Sequence, residues 1–192
     1  MAVVGIDLGT QSLKAVVVDD GLRLRGEASM PYQPAFPAPG WAEQHPSLWL
    51  DALSPAIAGA LDRAGLKPSD IKGMAIAGQL DGCVPVDASG RALAPCIIWM
   101  DRRADDEVGA IDAGFIRERT GLVLDATHMA AKICWAARNL PEARKVTLWH
   151  QPVSFVVAAL CGRAVMDHAL ASTTMLYGLR ERGYAGDLLD TF

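Results

Sequence analysis

Ligand-spaced cysteines are missing from this chain. Its four cysteines, Cys83, Cys96, Cys134 and Cys161, stand far apart, with neither Cys-x-x-Cys nor any Cys/His ligand spacing. That excludes a zinc knuckle or ribbon and leaves reduced, mostly buried thiols as the expectation. His45, His128, His150 and His168 show no metal spacing either and read as structural or surface residues. A strong excess of one charge is also absent: charged residues make up 21%, the net charge is −4 and the pI is about 5.5. Such a balance is no footprint for nucleic acid or an anionic membrane. The apolar run at residues 155–161 is too short to span a bilayer, and the first residues lack the basic-then-apolar pattern of a leader, so a cytoplasmic protein is expected. The two best-known nucleotide loops, Gly-x-x-x-x-Gly-Lys-Ser/Thr and Gly-x-Gly-x-x-Gly, are not found. Nor is any internal repeat or low-complexity tract.

What is present is a chain of 192 residues, 51% hydrophobic, enough for one generous domain or for one and a small part of another. Residues 2–19 carry two runs rich in Val, Ile and Leu around a Gly9-Thr10-Gln11-Ser12 tip, the pattern of strand, turn, strand. Asp7 falls where the first strand should be most apolar. A buried ionised carboxylate needs a cation, a hydrogen-bond network or a catalytic duty. Gly9 allows close approach of a ligand, and Thr10, Gln11 and Ser12 offer donors suited to phosphate oxygens, with Lys14 adding charge. An Asp-x-Gly turn with no ligand is the competing reading.

After this hairpin, residues 22–32 alternate as a third strand, giving an antiparallel opening. Pro31, Pro34, Pro37 and Pro39 forbid helix and lead to Gly40-Trp41-Ala42-Glu43-Gln44-His45-Pro46. Apolar residues at spacings of three and four predict a helix over residues 47–64, closed by Gly65 and kinked or broken at Pro55. Strands are predicted at residues 71–77, 83–86 and 145–149, and helices at 103–119, at 129–140 and from Pro152 to Gly162. Strands alternating with helices after an antiparallel start imply a mixed α/β sheet.

Two further constellations sit at predicted strand ends. Gly78-Gln79-Leu80-Asp81-Gly82 places Gln79 and Asp81 where open α/β sheets collect ligands, Asp81 suited to orient a hydroxyl and Leu80 to press on a carbon skeleton. A glycine-bracketed turn with a solvated Asp competes with that reading. Ile97-Ile98-Trp99-Met100-Asp101-Arg102-Arg103 offers Trp99 as an apolar face beside the polar tip of Asp101; a core Trp next to a surface ion pair is its structural alternative.

Taken together, the chain resembles the FGGY family of carbohydrate kinases, its xylulokinases most closely. The resemblance rests on Gly5-Ile6-Asp7-Leu8-Gly9-Thr10 with Lys14, on Gly40 to Pro46 with Trp49, and on Ile76-Ala77-Gly78-Gln79. Ile98-Trp99-Met100-Asp101 with Arg103, Lys132-Ile133-Cys134-Trp135 and the segment Asp167 to Leu176 complete it. It implies a ribonuclease-H-like fold of the actin, sugar kinase and Hsp70 superfamily, opening in an antiparallel meander. It also implies ATP and Mg²⁺ as cofactors and a small sugar or polyol as partner, with neither nucleic acid nor membrane; homodimerisation stays open. Asp7 would stand near Mg²⁺, through water, and near the transferring phosphoryl group, with Thr10, Gln11, Ser12 and Lys14 at the phosphate end. Gln79, Leu80, Asp81, Trp99 and Asp101 would stand on the sugar side. Where xylulokinases carry a histidine this chain carries Asp81, and glycerol kinases are acidic at the matching place, so a polyol joins xylulose and ribulose as a candidate. The family's general base and adenine pocket match nothing up to Phe192, so the chain is expected to be most of an N-terminal domain, inactive alone. A non-catalytic sugar-binding or regulatory module on the same scaffold is the reading from another class.

Overall fold

The structure, a computed structural model, describes residues 1–192. In chain order its elements are β1 (Ala2–Leu8), β2 (Ser12–Asp19), β3 (Leu24–Pro31), β4 (Glu43–Gln44), α1 (Ser47–Ala64), β5 (Ile71–Gly78), β6 (Val84–Val86), β7 (Cys96–Ile97), α2 (Asp105–Val108), α3 (Ala113–Thr120), α4 (Met129–Asn139), β8 (Leu148–His150), α5 (Pro152–Cys161), α6 (His168–Ser172), β9 (Tyr177–Gly178), β10 (Gly183–Tyr184) and α7 (Gly186–Thr191). They fall into two compact units, Met1–Pro34 with His45–Gln79, and Ala35–Gln44 with Leu80–Phe192. No helix is long and apolar enough to cross a membrane.

The first unit is a four-stranded mixed sheet of order β3-β2-β1-β5. Strands β1, β2 and β3 form the antiparallel meander and β5 lies parallel to β1. Alternation along β1 buries Ala2, Val4, Ile6 and Leu8, and β2 answers with buried Leu13, Ala15 and Val17. The helix α1 covers the sheet at β2 and β3 with Trp49, Leu53, Ala56 and Ala60. Their contact is close because glycine faces it: a Cβ on Gly26 would stand 2.7 Å from the Ala64 amide and strike the Ala60 carbonyl, and one on Gly59 would stand 3.0 Å from the Ala28 methyl carbon.

Helix α1 ends at Gly65, whose left-handed backbone (φ 66°) turns its N–H back to Asp62 and Leu61. The break expected at Pro55 is absent, and α1 runs through it. Pro55 is on the exposed side, so the carbonyl that loses its partner, that of the exposed Asp51, is left to water.

The second unit pairs short strands, β4 with β7, β6 with β8 and β9 with β10, all antiparallel. The single helix expected over residues 103–119 is instead α2 and α3. Gly109 ends α2, and the Asp112 carboxylate starts α3 by accepting the N–H groups of Gly114 and Phe115 at 2.8 and 3.4 Å. The strand placed at residues 145–149 lies three residues on, at Leu148–His150, because residues 143–145 form a 3₁₀ turn. Pro152 and Gly162 bound α5 as expected, Gly162 with φ 69°.

Candidate active site

The β1–β2 turn is held from three sides. Gly9 donates its N–H to the Ser12 carbonyl at 3.0 Å, and its own carbonyl receives the Tyr32 hydroxyl at 2.7 Å and Gln79 Nε2 at 3.4 Å. The Gln11 carbonyl accepts the Tyr32 N–H at 3.0 Å. Only glycine fits position 9, since a Cβ there would lie 2.9 Å from the Ser12 carbonyl oxygen and 4.0 Å from Asp7 Oδ2. Thr10 and Ser12 are half-buried at this tip and Gln11 is exposed. Burial and the nearby Asp7 charge raise the Tyr32 phenol above its ordinary value, so it stays protonated and keeps donating to the turn.

Asp7 is not buried. Its parity along β1 is opposite to that of Ile6 and Leu8, so the carboxylate stands on the other face of the sheet from the packed residues. There it faces Lys14 across the antiparallel register, with Nζ 3.9 Å from Oδ2 and the side chains 60% and 55% exposed. A pair this open contributes less than about 1 kcal/mol, which leaves both charges ready for a ligand. An open hollow of about 340 Å³ lies beside them, floored by Gly5, Val16 and Ile76.

In the second unit Leu80 and Trp99 are exposed, whereas Asp81 and Asp101 are buried. The solvated-turn alternative for Asp81 therefore does not hold. Asp81 takes the left-handed backbone (φ 58°), unusual outside glycine, and is held there from three directions. Its N–H donates to Gln151 Oε1 at 3.0 Å, its carbonyl accepts Lys132 Nζ at 2.5 Å, and its Oδ1 stands 3.2 Å from His128 Nδ1. Gln151, fully buried, is itself fixed by donating to the Leu170 carbonyl at 2.7 Å.

Lys132 Nζ also donates to the Ile98 carbonyl at 2.9 Å. Burial lowers its pKa to about 8 from 10.5, against the opposing pull of neighbours including Asp81 and Asp101. The unfolded chain keeps this proton up to the ordinary value, so burying the protonated form opposes folding below pH 8, and that opposition fades as the pH rises from 8 to 10.5.

Asp101 is enclosed together with Arg103. Its side chain is 0% exposed and that of Arg103 2%. Asp101 Oδ2 accepts the Ala42 N–H at 2.5 Å and Arg103 Nη2 at 2.7 Å, while Oδ1 accepts the Arg103 N–H at 2.9 Å. Arg103 reaches Glu43 Oε1 at 2.8 Å and lies over the Trp41 ring at 3.8 Å. The ion pair read as a surface feature is thus buried, and the Asp101 oxygens already serve protein donors.

The sequence reading missed His128, Lys132, Gln151 and Glu43 as site residues. For Lys132 a signal existed: it is a lone cation three residues past Met129 and four before Ala136 on the buried stripe of α4.

Comparison with known proteins matches the profile described as the FGGY family of carbohydrate kinases, N-terminal domain, to residues 2–192. A glycerol kinase of Thermococcus onnurineus is 30% identical over 99% of this chain and 40% of its own. Among solved structures, one titled as a xyloylose kinase from Brucella ovis superposes with a TM-score of 0.94 at 30% identity, over 99% of this chain and 40% of that one. A xylulose kinase from Rhodospirillum rubrum gives 0.91 at 27% identity, over 100% and 40%. This chain therefore spans about two-fifths of the length of these relatives. With the antiparallel meander, the mixed sheet and the fold of these sugar kinases, the chain belongs to the FGGY family of carbohydrate kinases, as its N-terminal domain.

Proposed function

We propose that the protein is the N-terminal part of an ATP-dependent kinase that phosphorylates a hydroxyl of a ketopentose such as xylulose or of a related polyol. The observation that carries this is Asp81: a buried carboxylate in a strained backbone, its main chain fixed on both sides by Gln151 and Lys132. Strain held in this way marks a group whose direction matters, and a carboxylate aimed by its neighbours suits a neutral hydroxyl ligand. Leu80 and Trp99 supply exposed apolar surface for the carbon skeleton. Asp101 serves as the counter-ion that seats Arg103 and the Ala42 turn rather than as a direct contact.

The hairpin fits a nucleotide phosphate. Gly9 lets the turn close without the clash a Cβ would make with the Ser12 carbonyl, Thr10 and Ser12 are half-buried donors at the tip, and Lys14 is only loosely paired. No cluster of three or more acidic, His or Cys groups could cage a metal. One open carboxylate fits Mg²⁺ that keeps most of its waters and takes its other ligands from phosphate oxygens, so Asp7 would hold it through water. Bound there, the ion would neutralise charge on the transferring phosphoryl group. Asp7 would hold the ion through its water, Lys14 would add positive charge, and the turn held by Tyr32 and Gln79 keeps the donors in place. We assign the general base and the adenine site to the three-fifths of the kinase length that this chain does not span.

Glycerol is the second substrate reading, supported by the acidic Asp81 and by glycerol kinases among the relatives. A panel of D-xylulose, D-ribulose and glycerol with MgATP decides between them in the intact kinase. There Asp81→Ala should raise KM for the accepted substrate roughly 10- to 100-fold, the loss of a buried charged hydrogen bond, and leave KM for ATP nearly unchanged. Equal loss on both sides would sink the role. The 192-residue chain alone should release no ADP; steady release would overturn the assignment of the missing groups, and sugar binding with no turnover in any form would favour the non-catalytic module.

A further inference from the structure

We propose that Lys132 is a positioning residue for substrate recognition: its buried ammonium clamps the main chain at Asp81 and at Ile98, and so fixes the Asp81 carboxylate and the Trp99 surface together. The argument is geometric. One Nζ donates to two carbonyls, that of Asp81 at 2.5 Å and that of Ile98 at 2.9 Å, which belong to segments 17 residues apart in sequence. Each of these carbonyls lies next to a residue of the sugar side or on one: Asp81 itself, and the peptide that leads into Trp99. Lys132 has 0% exposure and no carboxylate within salt-bridge distance, so its donors are directed to main chain rather than to a counter-ion. A charge-assisted donor holds a carbonyl about twice as strongly as a neutral one, and so supports a left-handed backbone that most non-glycine residues avoid and that Asp adopts more readily. The depressed pKa is consistent with an ammonium enclosed among main-chain carbonyls with no counter-ion at hand.

Two main-chain clamps therefore act on Asp81 from opposite sides of its Cα. Gln151 takes the N–H and Lys132 the carbonyl. With both ends fixed, the φ of 58° is imposed, and the carboxylate is set against His128. The role in recognition rests on the reading of Asp81 as the hydroxyl-binding group; the clamp itself does not.

The test separates the two. In the wild-type chain, ¹⁵N-detected lysine spectra should show Lys132 Nζ with through-hydrogen-bond couplings to the Asp81 and Ile98 carbonyl carbons. Lys132→Met, of similar length and apolar, should speed amide hydrogen exchange at Asp81 at least tenfold while the amides of β1, β2 and α1 keep their protection. In the intact kinase the same variant should raise KM for the sugar or polyol at least tenfold and change KM for ATP less than twofold. Absence of the couplings, or unchanged exchange at Asp81 in the variant, overturns the clamp even if the variant folds poorly, because the couplings are read on the wild type. Lost protection at Asp81 with unchanged KM for the sugar overturns the recognition role. A wild-type kinase that uses none of the sugars or polyols refutes the functional reading instead and leaves the clamp to be judged on couplings and exchange.

Discussion

Asp101→Ala should destabilise the chain by about 3–5 kcal/mol, one of the two largest effects expected of any single change, although Asp101 makes no contact we assign to substrate. The carboxylate is fully buried and receives the guanidinium of Arg103 and the main-chain N–H groups of Ala42 and Arg103. Removing it leaves a buried cation with Glu43 as its one remaining carboxylate and the two N–H groups without their acceptor. The Trp41 ring against Arg103 does not replace the lost charge, since a cation–π contact supplies about 0.5–2 kcal/mol and is already present. Urea unfolding of the wild type and the variant reads the difference directly. A loss below about 1 kcal/mol would mean that Arg103 turns to solvent easily and that the pair is not a structural anchor. Asp101→Asn should fall between the two, because the amide keeps an acceptor for one N–H but offers no charge to Arg103.

The parts of the fold that local periodicity encodes were legible. The alternation in β1 and β2, the three-and-four spacing of α1 and the glycine that closes it each correspond to one element with bounds close to those expected. Pro55 misled because its cost depends on whether the orphaned carbonyl meets water, which is a tertiary fact. Asp7 was expected inside for a related reason: alternation shows that residues 6 and 7 face opposite ways, not which face the helix covers. The residues around Asp81 come from positions 47, 51 and 70 away in sequence, so no spacing rule could gather His128, Lys132 and Gln151. Arg103 looked like a surface charge since its burial is created by Trp41, 62 residues earlier, and by Glu43 beside it. Motifs thus singled out the segments, while the different surroundings of Asp81, beside His128, and of Asp101, enclosed by Arg103 and the Ala42 N–H, needed the folded chain.

Asp7→Asn separates chemistry from folding more cleanly than any other change. The carboxylate is more than half exposed and its one partner, Lys14, is 3.9 Å away and also exposed, so stability should stay within about 0.5 kcal/mol of wild type. Turnover by the intact kinase should nonetheless fall by about 10²–10³, the usual consequence of removing one preorganised electrostatic group from a charged transition state. The asparagine is nearly isosteric and leaves Gly9, Tyr32 and the turn as they are, so the change isolates a single negative charge. On the proposed reading that charge would hold Mg²⁺ through water, which predicts a higher Mg²⁺ requirement for turnover and an unaltered KM for the sugar. A shift in sugar KM of the same size as the loss in turnover would move Asp7 to the substrate side. Unchanged turnover would make the carboxylate a surface partner of Lys14 and nothing more, and the phosphate role of the hairpin would then rest on Thr10, Gln11 and Ser12.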